Sequence, residues 1–265
     1  MRHAVHAEWT KLRTVPSTAW LLAMLIALAV ALTALVVAGT DSPDCAPAAT
    51  GCDTDTTVLS LSGVYLGQIA VVLVAVTALS TEYDTMMIRT TLAANPRRGA
   101  VLAAKALVVT ATVLGAGALS VLGSLLAGRA VLADNGFTAA NRFPPPSLAD
   151  EPTLRAAVGT VLYLGLVALL CLGIAAAVRH TAAAVTAALA VLYLPVLLAL
   201  ILPMSVRAQE RVQKYSPMSA GLAVQATVER ASRIHIGPWA GLGVLAVYAG
   251  GSAALGYLLL RSRDA

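Results

Sequence analysis

Six uninterrupted apolar blocks, each longer than twenty residues, constrain this chain more than any other feature of its sequence. About 20 apolar residues in a helix cross the roughly 30 Å hydrocarbon core of a bilayer. None of the blocks contains Asp, Glu, Lys, Arg or His. The blocks are Ala19–Gly39, Val58–Ser80, Ala106–Gly128, Ala156–Val178, Thr181–Pro203 and Gly237–Leu260.

The blocks predict an all-α integral membrane protein with six transmembrane helices. Their apolar character is continuous, whereas the strands of a membrane barrel alternate in polarity over about ten residues. The first block is too long for the apolar region of a signal peptide, so we interpret it as a retained span. The connecting segments leave no room for a separate globular domain, and we expect a single transmembrane domain over residues 1–265.

The distribution of charge predicts a multi-pass protein of the cell membrane with both termini in the cytoplasm. Lys and Arg concentrate in cytoplasmic loops. The N-terminal segment and the loop after the second block are basic, whereas the loop 40–57 has four Asp and no Lys or Arg. The segment after the fifth block runs against the rule, because it would lie outside and carries five cations. The net charge of +5 does not indicate nucleic-acid binding, because no basic domain exists to carry it.

Three segments between the blocks have patterns of their own. Residues 1–16 predict an amphipathic helix that lies in the membrane interface, with Trp9 on its apolar face and Lys11 and Arg13 elsewhere on the wheel. Residues 81–105 form the longest inner loop, which either docks on a cytoplasmic partner or is held by lipid headgroups. Residues 204–237 form an outer segment with short helices of small and apolar residues.

Polar chemistry inside the membrane is sparse. Gln68 is the one amide within a block, and it either faces a substrate path or bonds a neighbouring helix. Cys45 and Cys52 lie in the acidic loop, where a disulfide is the favoured interpretation and two free thiols the alternative. Glycines recur in the last block and favour close helix packing; they are Gly241, Gly243, Gly250, Gly251 and Gly256.

The chain carries no sign of an energy source or of catalysis. Ion-driven carriers keep ionisable groups within the membrane, and the blocks have none. No G-x-x-x-x-G-K-[ST] motif occurs, so the chain does not bind ATP by that route. We predict no catalytic residue, no metal site and no bound cofactor. A path for a lipophilic or amphiphilic compound, powered by a partner, fits these absences.

Two motifs resemble a known family. The start AEWTKLRTVPSTAWLL (Ala7–Leu22) and the loop EYDTMMIRTTLAANPRR (Glu82–Arg98) are similar to the permease subunits of ATP-binding-cassette exporters of the type-2 class, in their actinobacterial form. The resemblance implies that residues 1–16 are the elbow helix and that the loop contains the coupling helix. It also implies a separate ATPase subunit that binds ATP and Mg²⁺, and a second copy of this chain or a similar permease.

The resemblance assigns site residues by position. Arg179, in the short turn before the fifth block, would make a second, smaller contact with the ATPase. Met86 stands where similar permeases often have Gly, which leaves the start of the coupling helix open. The residues expected at the ATPase are Glu82, Tyr83, Arg89, Arg97, Arg98 and Arg179, with Trp9, Lys11 and Arg13 in the elbow helix. The alternative function is a membrane anchoring or assembly subunit without transport.

Overall fold

The computed structural model describes residues 2–40, 54–85, 87, 98–138, 143, 145–228 and 236–262. Within these ranges the regular structure is helical, and six helices are long and apolar enough to cross a membrane, which confirms the predicted fold class. The spans are α2 (Pro16–Ala38), α4 (Val64–Asp84), α5 (Arg98–Asp134), α6 (Glu151–Val178), α7 (Thr181–Ile201) and α10 (Pro238–Ser262). The shorter helices are α1 (Arg2–Thr14), α3 (Thr56–Ser60), α8 (Val206–Tyr215) and α9 (Pro217–Leu222).

Helices α4 and α6 form the centre of the bundle. Helix α6 packs against α4, α5, α7 and α10, and its residues Tyr163, Leu164 and Val167 are fully buried. Small and β-branched residues dominate the buried faces of both helices, which lets their backbones approach closely. The outer helices α2, α7 and α10 keep broad apolar surfaces outside the bundle, as expected of a protein surrounded by lipid.

The second apolar block is divided, which corrects the prediction of one continuous span over Val58–Ser80. Helix α3 ends at Ser60, and α4 begins at Val64 after a tight turn. Gly63 lies so close to α2 that a Cβ there would be 1.8 Å from the carbonyl oxygen of Ala29. The hydroxyl of Thr33 in α2 bonds two backbone groups at this break: it donates to Ser60 O and accepts from Gly63 N.

The helices extend into the predicted inner loop 81–105 from both sides. Helix α4 continues to Asp84, and α5 begins at Arg98 and runs for 37 residues. At 1.5 Å per residue α5 is roughly 55 Å long, which exceeds the thickness of the hydrocarbon core. Residues 88–97, which include most of the predicted coupling helix, lie outside the described residues.

Contacts define two ends of the bundle. At the first, which we name the terminal end, α1 packs against α5, and Tyr257 near the end of α10 lies beside Gly99. The first and last described helices therefore meet at one end, as an even number of spans requires. The opposite end, which we name the far end, holds α3, α8 and α9. The side of the membrane that each end faces stays a prediction.

Candidate functional site

Four charged side chains from three helices form a closed ring at the terminal end. The ring consists of Glu8 and Lys11 of α1, Glu82 of α4 and Lys105 of α5. Each lysine pairs with both carboxylates: Lys11 Nζ lies 3.1 Å from Glu8 and 2.8 Å from Glu82, and Lys105 Nζ lies 2.5 Å from Glu8 and 2.9 Å from Glu82. The ring carries no net charge, so it joins three helices without an unbalanced ion.

The ring is buried except at Lys11. The side chain of Lys105 is 3% exposed, and its ammonium group also donates to the carbonyl oxygen of Ala78 at 2.9 Å. Glu8 and Glu82 are buried as well. Removing one member of a buried ion pair leaves an uncompensated charge in a low dielectric, which is strongly destabilising. The ring therefore fixes α1 to the ends of α4 and α5.

Lys11 closes the ring at its exposed edge. Burial lowers the pKa of Lys11, but hydrogen bonds and charge attraction from Glu82 and Glu8 outweigh that effect and raise its pKa above the usual value. A raised lysine pKa means that the stabilising ion pairs are complete at neutral pH. On the alkaline side these pairs are lost as the pH rises through the raised value. Lys11 therefore stays charged across the physiological range.

A cavity of about 170 Å³ lies beside the ring, between α1, the start of α2 and the end of α4. Leu12, Val15, Ala78, Thr77 and Thr81 are among the residues that line it. Met87, the one described residue in the stretch 86–97, also contacts this cavity. Helix α4 therefore ends next to the ring, and Met87 lies beside the cavity.

The turn between α6 and α7 packs onto the same end of α4. Arg179 adopts a left-handed conformation with φ of 61° and ends α6, and its guanidinium carbon lies 5.4 Å from the centre of the Tyr83 ring. Arg179 also donates to Leu259 O of α10 at 3.2 Å. Thr181, which begins α7, bonds Asp84 and Ser80 near the end of α4. Four spans thus converge where α4 ends.

The structure brings several predicted site residues together at the terminal end. Glu82 and Tyr83 lie in the last turn of α4, and Arg179 packs against the ring of Tyr83. The carboxylate of Glu82 is already paired with Lys11 and Lys105. In α1, Lys11 belongs to the ring, whereas Trp9 and Arg13 are exposed. Arg98 is the first residue of α5. Arg89, Arg97, Cys45 and Cys52 lie outside the described residues.

Gln68 is fully buried in the first turns of α4, towards the far end of the bundle. It accepts a hydrogen bond from the Tyr163 hydroxyl of α6, and its amide nitrogen donates to Met218 Sδ of α9 at 3.4 Å. Of the two interpretations of Gln68, this geometry matches the bond to a neighbouring helix. That Gln68 faces a substrate path stays a prediction.

Sequence reasoning missed Glu8, Lys105 and Asp55 as structural residues. Glu8 and Lys11 have the i, i+3 spacing of a helical ion pair, which was a detectable signal. Lys105 directly precedes an apolar block, which suggests a headgroup contact and not a buried ion pair. No local pattern links Lys105 to Glu8, because 97 positions separate them.

Asp55 joins the start of α3 to the segment that follows α9. Its carboxylate accepts from Thr57 N and Val58 N, which caps α3, and from Thr227 N, Thr227 Oγ1 and Val228 N at 2.6, 2.8 and 3.1 Å. The residue is 3% exposed. A single carboxylate thus holds two distant segments together at the far end.

We expect Asp55→Ala to lower the free energy of unfolding by about 2 kcal/mol, because four backbone N–H donors at a partly buried site lose a charged acceptor. The local effect should be larger, so hydrogen exchange of the amides of Thr227 and Val228 is the direct measurement. Asp150→Ala is the matched control, because Asp150 is exposed at the start of α6 and its side chain makes no capping bond. Equal exchange in both variants would contradict the role of Asp55.

Comparison with protein-family models and with curated proteins found no match.

Proposed function

We propose that this chain is the permease subunit of an ATP-binding-cassette exporter. It would form the membrane path for a lipophilic or amphiphilic compound, and a separate ATPase subunit would hydrolyse ATP with Mg²⁺. The working unit would contain a second copy of this chain or a similar permease. No residue of this chain would be catalytic.

The observation that carries the proposal is the ring of Glu8, Lys11, Glu82 and Lys105. It joins α1 to α4 and α5 at the two points between which residues 85–97 run. A force applied to this stretch by a partner would act on three helices at once. That is the mechanical arrangement that a permease needs in order to respond to the closure of an ATPase pair. An anchoring subunit has no need for such a connection.

The turn at Arg179 gives further support. Through Tyr83, Asp84 and Leu259 it links α6, α7 and α10 to the end of α4. Movement at the terminal end would thereby reach α6, α7 and α10 as well as α4. In this proposal Glu82 is a positioning residue that holds the base of the coupling segment, and the cations Arg89, Arg97 and Arg98 meet the partner.

The residue types of the apolar blocks bear on the source of energy. The blocks contain no Asp, Glu, Lys, Arg or His, so they offer no charged side chain to bind a driving ion. ATP hydrolysis by a partner supplies the energy instead. An apolar or amphiphilic substrate requires no charged ligand along its path, which agrees with the residue types in the blocks.

We expect reversal of two cations, Arg97→Glu with Arg98→Glu, to detach or uncouple the ATPase. The experiment is co-expression of this chain with the ATPase encoded next to it, purification through a tag on this chain, and measurement of bound ATPase and of ATP hydrolysis. The recovered activity should fall by about ten-fold or more, because attraction at the interface becomes repulsion. Arg261→Glu is the matched control, because it reverses an exposed cation at the same end.

Three results would separate the hypotheses. Equal amounts of ATPase and permease, lost only in the double variant, would support the exporter. A folded chain that purifies with no ATPase would overturn the proposal and favour the anchoring or assembly role. Equal loss in the Arg261→Glu control would show that any charge reversal at this end acts nonspecifically, and the assignment of Arg97 and Arg98 would fail.

A further inference from the structure

Helix α8, Val206–Tyr215, differs from every other described helix of eight residues or more in having no buried residue. It lies at the far end, between the span α7 and the short helix α9. Ala208 and Val212 are half-buried, and the rest of the helix, apart from Glu210, is exposed. The bundle therefore covers α8 only partly, on the side of Ala208 and Val212, and most of the surface of the helix is exposed.

The chain holds α8 at the membrane boundary from both sides. Only four residues separate Val206 from Ile201, the last residue of the span α7, which allows a separation of at most about 18 Å. On the other side Ser216 is buried, and Met218 reaches Gln68 inside the bundle. Leu200 and Ile201 beside this junction are 80% and 73% exposed, as expected for contact with acyl chains. Helix α8 thus begins close to the end of the span α7, where a span meets the headgroups.

The charges of α8 are arranged on one side. Arg207, Arg211 and Lys214 have the spacing i, i+4 and i+7, so they follow one another along a single face. All three are exposed, and none forms an ion pair with a carboxylate within the described part of the chain. Glu210 is the one acidic residue of the helix. Tyr215 lies next to this basic face, with its ring 5.9 Å from Lys214 Nζ, and aromatic rings favour the interface.

We infer that the basic face of α8 binds the phosphate groups of anionic lipids at the far end of the bundle. An amphipathic helix that rests on the bundle at one edge and carries a row of cations at headgroup level fits an anionic membrane surface. Lipid contact also explains why Arg207, Arg211 and Lys214 occur in a segment where the distribution of Lys and Arg predicts few cations. The inference does not rest on the proposed function, because it requires neither an ATPase nor a substrate.

Quenching by brominated lipids tests this assignment directly. Gln213→Cys, in a background with Cys45→Ser and Cys52→Ser, places a fluorescent label on the exposed surface of α8, while Cys171 is buried. The labelled chain is reconstituted in phosphatidylcholine nanodiscs that contain the same fraction of either dibromo-phosphatidylglycerol or dibromo-phosphatidylcholine. Preferential binding makes the anionic lipid the stronger quencher. High salt should reduce the preference, because it screens the attraction.

The triple variant Arg207→Gln/Arg211→Gln/Lys214→Gln should lose the preference. Each basic residue near an anionic surface contributes about a five-fold change in affinity, so the three together contribute on the order of a hundred-fold. The ratio of quenching by the two lipids should fall to about one. Arg129→Gln is the matched control, because it removes an exposed cation near the far end of α5. Glu210→Gln should raise the ratio, because it removes the one carboxylate of the helix.

Three results would overturn the inference. Equal quenching of the wild-type chain by both lipids would show that α8 touches the membrane without recognising anionic headgroups. Absence of quenching by either lipid would show that α8 faces water, and its cations would then be open to a soluble polyanion. Retention of the preference in the triple variant would also exclude these cations as its source.

Discussion

Lys105→Met is expected to lower the free energy of unfolding by about 3–5 kcal/mol, because it leaves two buried carboxylates with only one lysine between them. Lys105 is 3% exposed and bonds Glu8, Glu82 and Ala78 O, so no water shell replaces the lost ammonium group. The midpoint of thermal unfolding in detergent micelles, measured together with the recovery of monodisperse protein, reports the change. Arg129→Met is the matched control, since it removes an exposed cation from the same helix.

A second substitution distinguishes the ring from simple packing. Adding Glu82→Gln to Lys105→Met restores electrical neutrality, with Glu8 and Lys11 as the remaining pair. We expect the double variant to recover part of the stability that Lys105→Met loses, so the two effects should be clearly non-additive. If Glu82→Gln instead adds to the loss, the ring does not act as a charge-balanced unit. The mechanical connection on which the proposed function depends would then be weakened as well.

The positions of the spans could be predicted from the sequence, whereas several of their boundaries could not. Hydropathy marks the part of a helix that crosses the acyl chains and does not mark its hydrogen-bonded ends. Helix α5 therefore begins at Arg98 and ends at Asp134, well beyond the block Ala106–Gly128. The break before α4 was also hidden, because Gly63 and Thr33 meet in space and are 30 positions apart.

The candidate site was predictable only in part. The two motifs directed attention to Lys11, Glu82 and Tyr83, and the resemblance to Arg179; the structure gathers these residues at one end of the bundle. Their contacts were not predictable, because the ring depends on pairs of residues far apart in the chain, such as Glu8 with Lys105. A charged residue at the edge of a span has the same local sequence whether it meets a headgroup or a buried partner. Only tertiary packing decides between the two.

The glycines of the last span also show that tertiary contacts could not be predicted from the sequence. They lead to the second large loss of stability that we expect. A Cβ at Gly256 would lie 2.8 Å from Gly173 O of α6, and a Cβ at Gly241 would lie 1.9 Å from Ala220 O of α9. Gly243, Gly250 and Gly251 have nothing within 4 Å. The sequence predicted close packing for all five, but the packed positions could not be told from the open ones, because composition does not reveal which side of a helix faces its neighbour.

Gly173→Ala should therefore destabilise the bundle more than its single added methyl group suggests. The new Cβ would lie 2.4 Å from the carbonyl carbon of Ser252 and 2.5 Å from Ala253 N. Backbone atoms cannot rotate away, so α6 and α10 must separate, and we expect a loss at the upper end of the roughly 1–3 kcal/mol typical of overpacking. Gly250→Ala is the matched control in α10, and it should be neutral or raise stability slightly because Ala favours the helix. The midpoint of thermal unfolding in micelles reports both variants. Equal midpoints would mean that α6 and α10 are not in backbone contact, and the proposed transmission from Arg179 to α10 would lose its rigid connection.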